Sequence, residues 1–262
     1  MPASALGLAL AAALVHALWN LLLAGARDSQ AATAVGTCIG CLVFVPALLG
    51  DVSSSAVPWL VASAALELAY FALLAMAYSR AELSAVYPLA RGSAPVMVLF
   101  VSVAFLNVSL SAAAVIGVLL VAGGVVLVRG GGRSLLALAV GACIAGYTLV
   151  DNEGVKHADA LPYLELVLIV PAVAYAGWIG RTRLRAAFGW RSALAGVGMF
   201  GAYGLTLLAL RLTAAAPVAA VRETSIVIAT LLGAFVLHEA VGRARLLGSV
   251  VIVAGVAAIA LA

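Results

Sequence analysis

Charged residues break this chain into apolar runs of roughly 17 to 23 residues, each long enough at about 1.5 Å per residue to cross a hydrocarbon core of about 30 Å. Ten such runs are marked, at about 4–24, 31–50, 57–78, 84–106, 110–128, 134–150, 160–180, 192–211, 215–237 and 242–261. A bilayer interior offers no water to satisfy peptide groups, so only helices and closed barrels cross it. Barrel strands would alternate apolar and polar residues over about ten positions, whereas these runs are continuously apolar. The sequence therefore predicts an all-α integral membrane protein with ten transmembrane helices. With 66% hydrophobic and 9% charged residues and a mean hydropathy of +1.24, nothing is left over for a soluble domain. The first run lacks the basic leader of a signal peptide and is longer than its apolar core, so it is expected to be a mature helix.

The segment from Ser84 to Leu127 reappears 131 residues later as Ala215 to Ala258, which places Arg91, Gly117 and Gly124 on Arg222, Gly248 and Gly255 without a gap. Arg80 keeps the same offset from Arg211. Between the copies, Gly130 to Gly132 follow no strand and precede no Lys-Ser/Thr pair, so they are expected to be a tether rather than a phosphate loop. The expected organisation is a first five-helix repeat at 1–129, a linker at 130–132 and a second repeat at 133–262. An odd helix count forces the second copy into the membrane upside down, the arrangement of inverted repeats found in secondary transporters.

Loop charges bear on orientation, because cytoplasmic loops hold the excess of Lys and Arg. Loops after the odd-numbered runs hold Arg27, Arg80, Arg129, Arg133, Arg181, Arg183, Arg185, Arg191, Arg243 and Arg245, whereas the others hold only Lys156 and Arg211. Taken literally, both termini face outward. The net charge of +4 and the arginines from Arg181 to Arg191 then form a cytoplasmic rim near anionic lipid, with no call for nucleic acid. Cys38 and Cys41 are spaced as Cys-x-x-Cys but sit in an apolar helix without further ligands, so packing is expected and no metal or other cofactor. Gly36, Gly40, Gly196, Gly198, Gly201 and Gly204 are expected to let helix backbones approach closely.

A charge at mid-membrane costs at least about 2.5 kcal/mol on insertion scales and needs a partner or a wet cavity. The candidates are His16 and Asn20 in the first run, Glu67 in the third, Arg91 in the fourth, Glu165 in the seventh, and Arg222 with Glu223 in the ninth. Arg91 shares a helix face with Tyr87 and Pro95, and Pro88 and Pro95 both weaken the hydrogen-bond ladder there. A structural role would lock Arg91 to Glu67 or to freed carbonyls. Glu223, Thr224 and Ser225 stand where the first copy has Gly92, Ser93 and Ala94, so the extra carboxylate breaks the symmetry. It either forms a local ion pair or contributes to transport. His16 and Asn20 are one turn apart beside Trp19, and a histidine can relay protons. At an offset of 128, Trp19 falls on Tyr147. Asp151 and Glu153, at the end of the sixth run, are expected to be hydrated.

The runs His16-Ala-Leu-Trp-Asn20, Tyr87-Pro-Leu-Ala-Arg-Gly92 and Arg222-Glu-Thr-Ser225, with Gly248 and Gly255 in the last helix, resemble EamA-type members of the drug/metabolite transporter superfamily. That resemblance covers both halves. It implies a central cavity lined by the first, third, fourth, sixth, eighth and ninth helices, which places His16, Trp19, Glu67, Tyr70, Tyr87, Arg91, Tyr147, Tyr203, Arg222 and Glu223 on lining helices and excludes Glu165. It also implies substrates among amino acids and other metabolites, sugars attached to nucleotides, and toxic compounds. In the related small multidrug exporters a glutamate lies near the position of His16, so proton exchange by that carboxylate is not expected here. Ten-helix relatives generally keep both termini in the cytoplasm, against the loop charges.

The function expected is secondary, non-ATP transport, with export of a small metabolite bearing a carboxylate or other anionic group and Arg91 and Arg222 as its counter-charges. Rocking of the two repeats would expose the cavity to each side in turn. Efflux of hydrophobic cations on Glu67 and Glu223 is the alternative, and a non-transporting accessory subunit is another. No nucleophile motif or nucleotide loop suggests an enzyme. Coupling would be to a proton or an exchanged solute, in a monomer, in a bacterial inner membrane.

Overall fold

In the computed structural model, which describes residues 1–23, 26–80, 83–129, 135–235 and 242–262, the apolar runs are helices. They are α1 (Ala3–Leu23), α2 (Ser29–Phe44), α3 (Val57–Arg80), α4 (Leu83–Ala104), α5 (Ala112–Arg129), α6 (Leu135–Gly154), α7 (Ala160–Ile179), α8 (Arg181–Ala187), α9 (Trp190–Leu210), α10 (Ala215–Arg222), α11 (Thr224–Phe235) and α12 (Arg243–Ala260). Among the described residues, eight helical segments are long and apolar enough to cross a membrane, and Ala90–Ala104 and Ala112–Leu127 are shorter apolar stretches. The chain is a multi-pass membrane protein. The expected linker, Gly130 to Gly132, lies outside the described residues.

Local chemistry explains where the helices depart from the sequence runs. Pro46 offers no N–H to the carbonyl of Leu42, so the α-ladder stops at Phe44 and the chain continues as a 3-10 turn, Val45–Leu49. Gly180 adopts φ 83°, a conformation that side chains resist, and this turns the chain sharply from α7 into α8 within the arginine-rich loop. Asp28 caps α2 by accepting from the Ala31 N–H at 3.0 Å. The ninth run is interrupted at Glu223. There the Glu223 N–H bonds the Ala220 carbonyl at 3.0 Å and the Ile226 N–H bonds the Glu223 carbonyl at 2.9 Å, two tightened turns that separate α10 from α11. By contrast α4 runs unbroken through Pro88 and Pro95.

Helices in lipid have little hydrophobic drive to associate and depend on close packing, which small residues permit. The halves of the chain are interleaved rather than side by side. Helix α5 packs along α12, α1 along α9, α3 along α6, and α2 against both α7 and α9. Gly117 faces Gly255, and Gly124 faces Gly248, so α5 and α12 run antiparallel. A Cβ on Gly117 would lie 2.6 Å from the Gly255 carbonyl oxygen, and one on Gly124 2.8 Å from that of Gly248. Gly36 and Gly196 touch backbone to backbone between α2 and α9, whereas a Cβ on Gly201 would meet nothing within 4 Å. Helices α4, α5 and α10–α12 form one group and α2, α3, α7 and α9 another, with α1 and α6 contacting both.

The packing of α5 on α12 carries its own control, because Gly123 has open space where Gly124 has backbone. Gly124→Ala is expected to destabilise the protein by about 1–3 kcal/mol through overpacking. Gly123→Ala should leave the melting temperature in detergent unchanged or slightly raised. Equal melting temperatures for the two variants would remove the role assigned to this close approach.

Candidate functional site

The polar residues converge where the two helix groups meet. Arg91 on α4 donates from Nε to Glu223 Oε2 at 3.2 Å, and its other guanidinium nitrogen lies 3.1 Å from Oε1. This fork-on-carboxylate geometry is the strongest form such a pair takes. Both residues are buried, and the pair ties α4 of the first half to the α10–α11 break of the second. The sequence offered Glu67 or freed carbonyls as partners for Arg91; the carboxylate that meets it belongs to Glu223.

Arg222, the next residue back, is half-buried with its guanidinium carbon 5.4 Å from the centroid of the Tyr203 ring. Among the described residues it makes no ion pair. The Tyr203 hydroxyl in turn donates to Asp151 Oδ2, and the Tyr163 hydroxyl donates to Oδ1 at 3.0 Å. Asp151 is fully buried, which corrects the expectation of a hydrated helix end: α6 continues to Gly154, and tyrosines from α7 and α9 close over the carboxylate. Glu153 is the exposed member of the two, paired with Lys156 at 2.6 Å.

A ladder of edge-on rings runs from Tyr70 to Tyr147 to Tyr203, with centroids 6.1 and 5.8 Å apart. Glu67, on α3, is buried and lies within electrostatic reach of Arg222 and Asp151. His16 meets Trp19 edge-on at 4.8 Å and lies within reach of both Arg91 and Arg222. Among the described residues, His16 Nε2, Trp19 Nε1 and Thr224 Oγ1 are enclosed without a hydrogen-bond partner. Such groups are costly when buried unpaired. Asn20 is different, because its amide donates to the His16 carbonyl at 2.8 Å and is spent on its own helix. The side chain of Tyr87 lies outside the described residues.

Most of the expected set is thus drawn into one cluster: His16, Trp19, Glu67, Tyr70, Arg91, Tyr147, Tyr203, Arg222 and Glu223. Asp151, expected to be hydrated, and Thr224, from the run Arg222-Glu-Thr-Ser225, join it, and Tyr163 joins without having been singled out. Glu165 stands apart on α7, fully buried beside Cys41, with neither carboxyl oxygen partnered among the described residues.

Ties at both ends of the bundle frame the cluster. At one end Arg183 of α8 grips Asp28 through two nitrogens at 2.8 and 3.0 Å and reaches Gln30 at 3.0 Å. That guanidinium holds the Asp28 carboxyl below the usual carboxylate range. At the other end the segment before α3 pairs with the segment before α7. The Asp159 N–H donates to the Asp51 carbonyl at 2.8 Å, the Ser53 N–H to that of His157 at 3.0 Å, and Arg211 holds Asp159 at 3.2 Å.

Comparison with known proteins locates the chain among families. Residues 133–261 match the sequence model of the EamA-like transporter family. A solved crystal structure of a protein superposes with a TM-score of 0.72 over 100% of this chain and 99% of that one, at 18% identity; that likeness shows the fold alone. No curated protein matches.

Proposed function

The chain belongs to the EamA-like transporter family, and from that premise we propose that it is a secondary carrier for a small metabolite bearing a carboxylate or other anionic group, bound at Arg222. The observation that carries this is the state of the two arginines. Arg91 already has a carboxylate, whereas Arg222 is held over an aromatic ring without an ion pair among the described residues. A half-buried cation that Glu67 and Asp151 reach only through space, without an ion pair among the described residues, can still seat an anion. Glu67 offers a carboxyl for a donor group on the same solute, and Trp19, Tyr70 and Tyr147 supply apolar walls with polar edges.

Two inverted repeats, 1–129 and 133–262, are the architecture we assign to this carrier. The glycine contacts support it. Gly248 and Gly255 are the counterparts of Gly117 and Gly124, yet Gly117 faces Gly255 and Gly124 faces Gly248. A crossed, self-complementary contact is what a twofold axis produces. The interleaving also modifies the expected motion. With α5 locked on α12 and α1 on α9, one sequence half cannot swing as a body against the other. Alternating access is better carried by the group α4, α5 and α10–α12 moving against the remaining helices, with the cluster between them.

Efflux of cations would need Glu67 and Glu223 together, and Glu223 is occupied by Arg91. Counterflow in proteoliposomes distinguishes the two. Labelled metabolites with a free carboxylate should accumulate against unlabelled solute while their methyl esters do not. Equal accumulation of acid and ester would sink the anion assignment, and selective uptake of cationic dyes would favour the carboxylates.

A further inference from the structure

A groove lies on the outside of the bundle, lined by other residues than those of the cluster. Val35, Cys38, Ile39 and Leu42 of α2 fall at spacings of three, four and seven residues, which puts them in one stripe. That stripe, with Leu184, Arg185 and Phe188, lines an almost wholly apolar groove of about 400 Å³. We propose that the groove is a binding site for an anionic glycerophospholipid, with the headgroup phosphate on Arg185 and an acyl chain lying along α2.

The depth of the groove in the membrane argues for a lipid. Its charged end is fixed at the N-terminus of α2 by the tie between Arg183 and Asp28, and exposed Trp178, Phe188 and Trp190 mark that level as the interfacial belt. From Val35 to Leu42 the stripe descends about 10 Å into the hydrocarbon at 1.5 Å per residue. A groove that starts at an interfacial cation and runs inward with apolar walls has the polarity of one lipid molecule. A water-soluble anion would leave the apolar length unused.

Charge decides which lipid. Of the other arginines on this segment, Arg181 is not among the residues lining the groove, Arg183 is engaged by Asp28 and Gln30, and Arg191 lies over the ring of Trp190 at 5.4 Å. Arg185 lines the groove and makes no ion pair among the described residues. Its uncommitted charge at the mouth selects a headgroup with net negative charge over a zwitterionic one. The end of the bundle that carries α8 then sits in the more anionic leaflet, in agreement with the loop charges.

The test uses the full-length protein in detergent, titrated with phosphatidylglycerol or phosphatidylcholine of the same acyl chains, and bound lipid is counted by native mass spectrometry. Wild type should prefer phosphatidylglycerol, and Arg185→Gln should weaken that preference by about fivefold, the worth of one interfacial arginine at an anionic surface. Arg191→Gln, which removes the same charge outside the groove, should leave the preference in place. Ile39→Trp, which fills the groove, should weaken binding of both lipids. Equal losses for Arg185→Gln and Arg191→Gln would mean a diffuse surface field and overturn the site. Equal binding of the two lipids to wild type, or displacement of the lipid by free glycerol phosphate, would also overturn it. If Ile39→Trp does not fold, the comparison of the two arginine variants still decides.

Discussion

Arg222→Gln should lower transport of an anionic solute by about 100-fold, from the roughly 3 kcal/mol that a buried charge-assisted hydrogen bond is worth, while the protein remains folded and abundant. The separation of the two effects is the point. Removing Arg222 breaks no ion pair among the described residues, and its cation–π stacking on Tyr203 is worth only about 0.5–2 kcal/mol. A small fall in melting temperature is therefore expected beside a large fall in initial rate. Arg222→Lys keeps the charge without the planar fork, so it should retain part of the activity. Counterflow by the purified variants in proteoliposomes reads the rates, and a thermal melt of the same preparations reads the fold. Near-normal counterflow of a carboxylate solute by Arg222→Gln would exclude this arginine as the anion site.

The helices were legible in the sequence because the bilayer imposes a length and a composition on every span, and those survive without knowledge of any neighbour. The departures from the apolar runs all involve partners or backbone geometry that hydropathy does not encode. Apolar Val221 and polar Thr224 do not announce that the helix between them resets at Glu223. A loop of four arginines conceals the short α8, whose placement follows from Gly180 and from the tie between Arg183 and Asp28, 155 residues away.

The site was legible in its residue types and less so in its pairings. The mismatch between Gly92 and Glu223 pointed to the carboxylate that pairs with Arg91, yet that partner is 132 residues away and no local pattern names the pairing. Asp151 was assigned to water for a different reason. A carboxylate at the end of an apolar run costs little if water reaches it, and only the hydroxyls of Tyr163 and Tyr203 show that water does not. A signal was nevertheless present. The 131-residue offset, carried back into the first helix, places His16 on Tyr147, Asn20 on Asp151 and Asp28 on Asp159. That register replaces the offset of 128 that set Trp19 on Tyr147. It marks Asp151 as the counterpart of a polar position already singled out, and Asp28 and Asp159 as matching anchors of the two end ties.

The ion pair between Arg91 and Glu223 should show the opposite balance to Arg222, with folding affected before transport. Removing one member of a buried pair strands the other and costs about 3–5 kcal/mol, whereas replacing both by apolar residues of similar volume is often neutral or better. Arg91→Met and Glu223→Met are each expected to lose most of their folded yield, and the double variant to recover it. Function adds a second discrimination. If the pair exists to keep Glu223 off its neighbour Arg222, then Arg91→Met releases a carboxylate that competes with the solute, and the folded fraction should show a raised KM for an anionic solute. The double variant removes that competitor and should bring KM back toward the wild-type value. Should the double variant fold well and yet keep a raised KM, Arg91 or Glu223 touches the solute directly, and the idea that the pair serves only to hold Glu223 away from Arg222 fails.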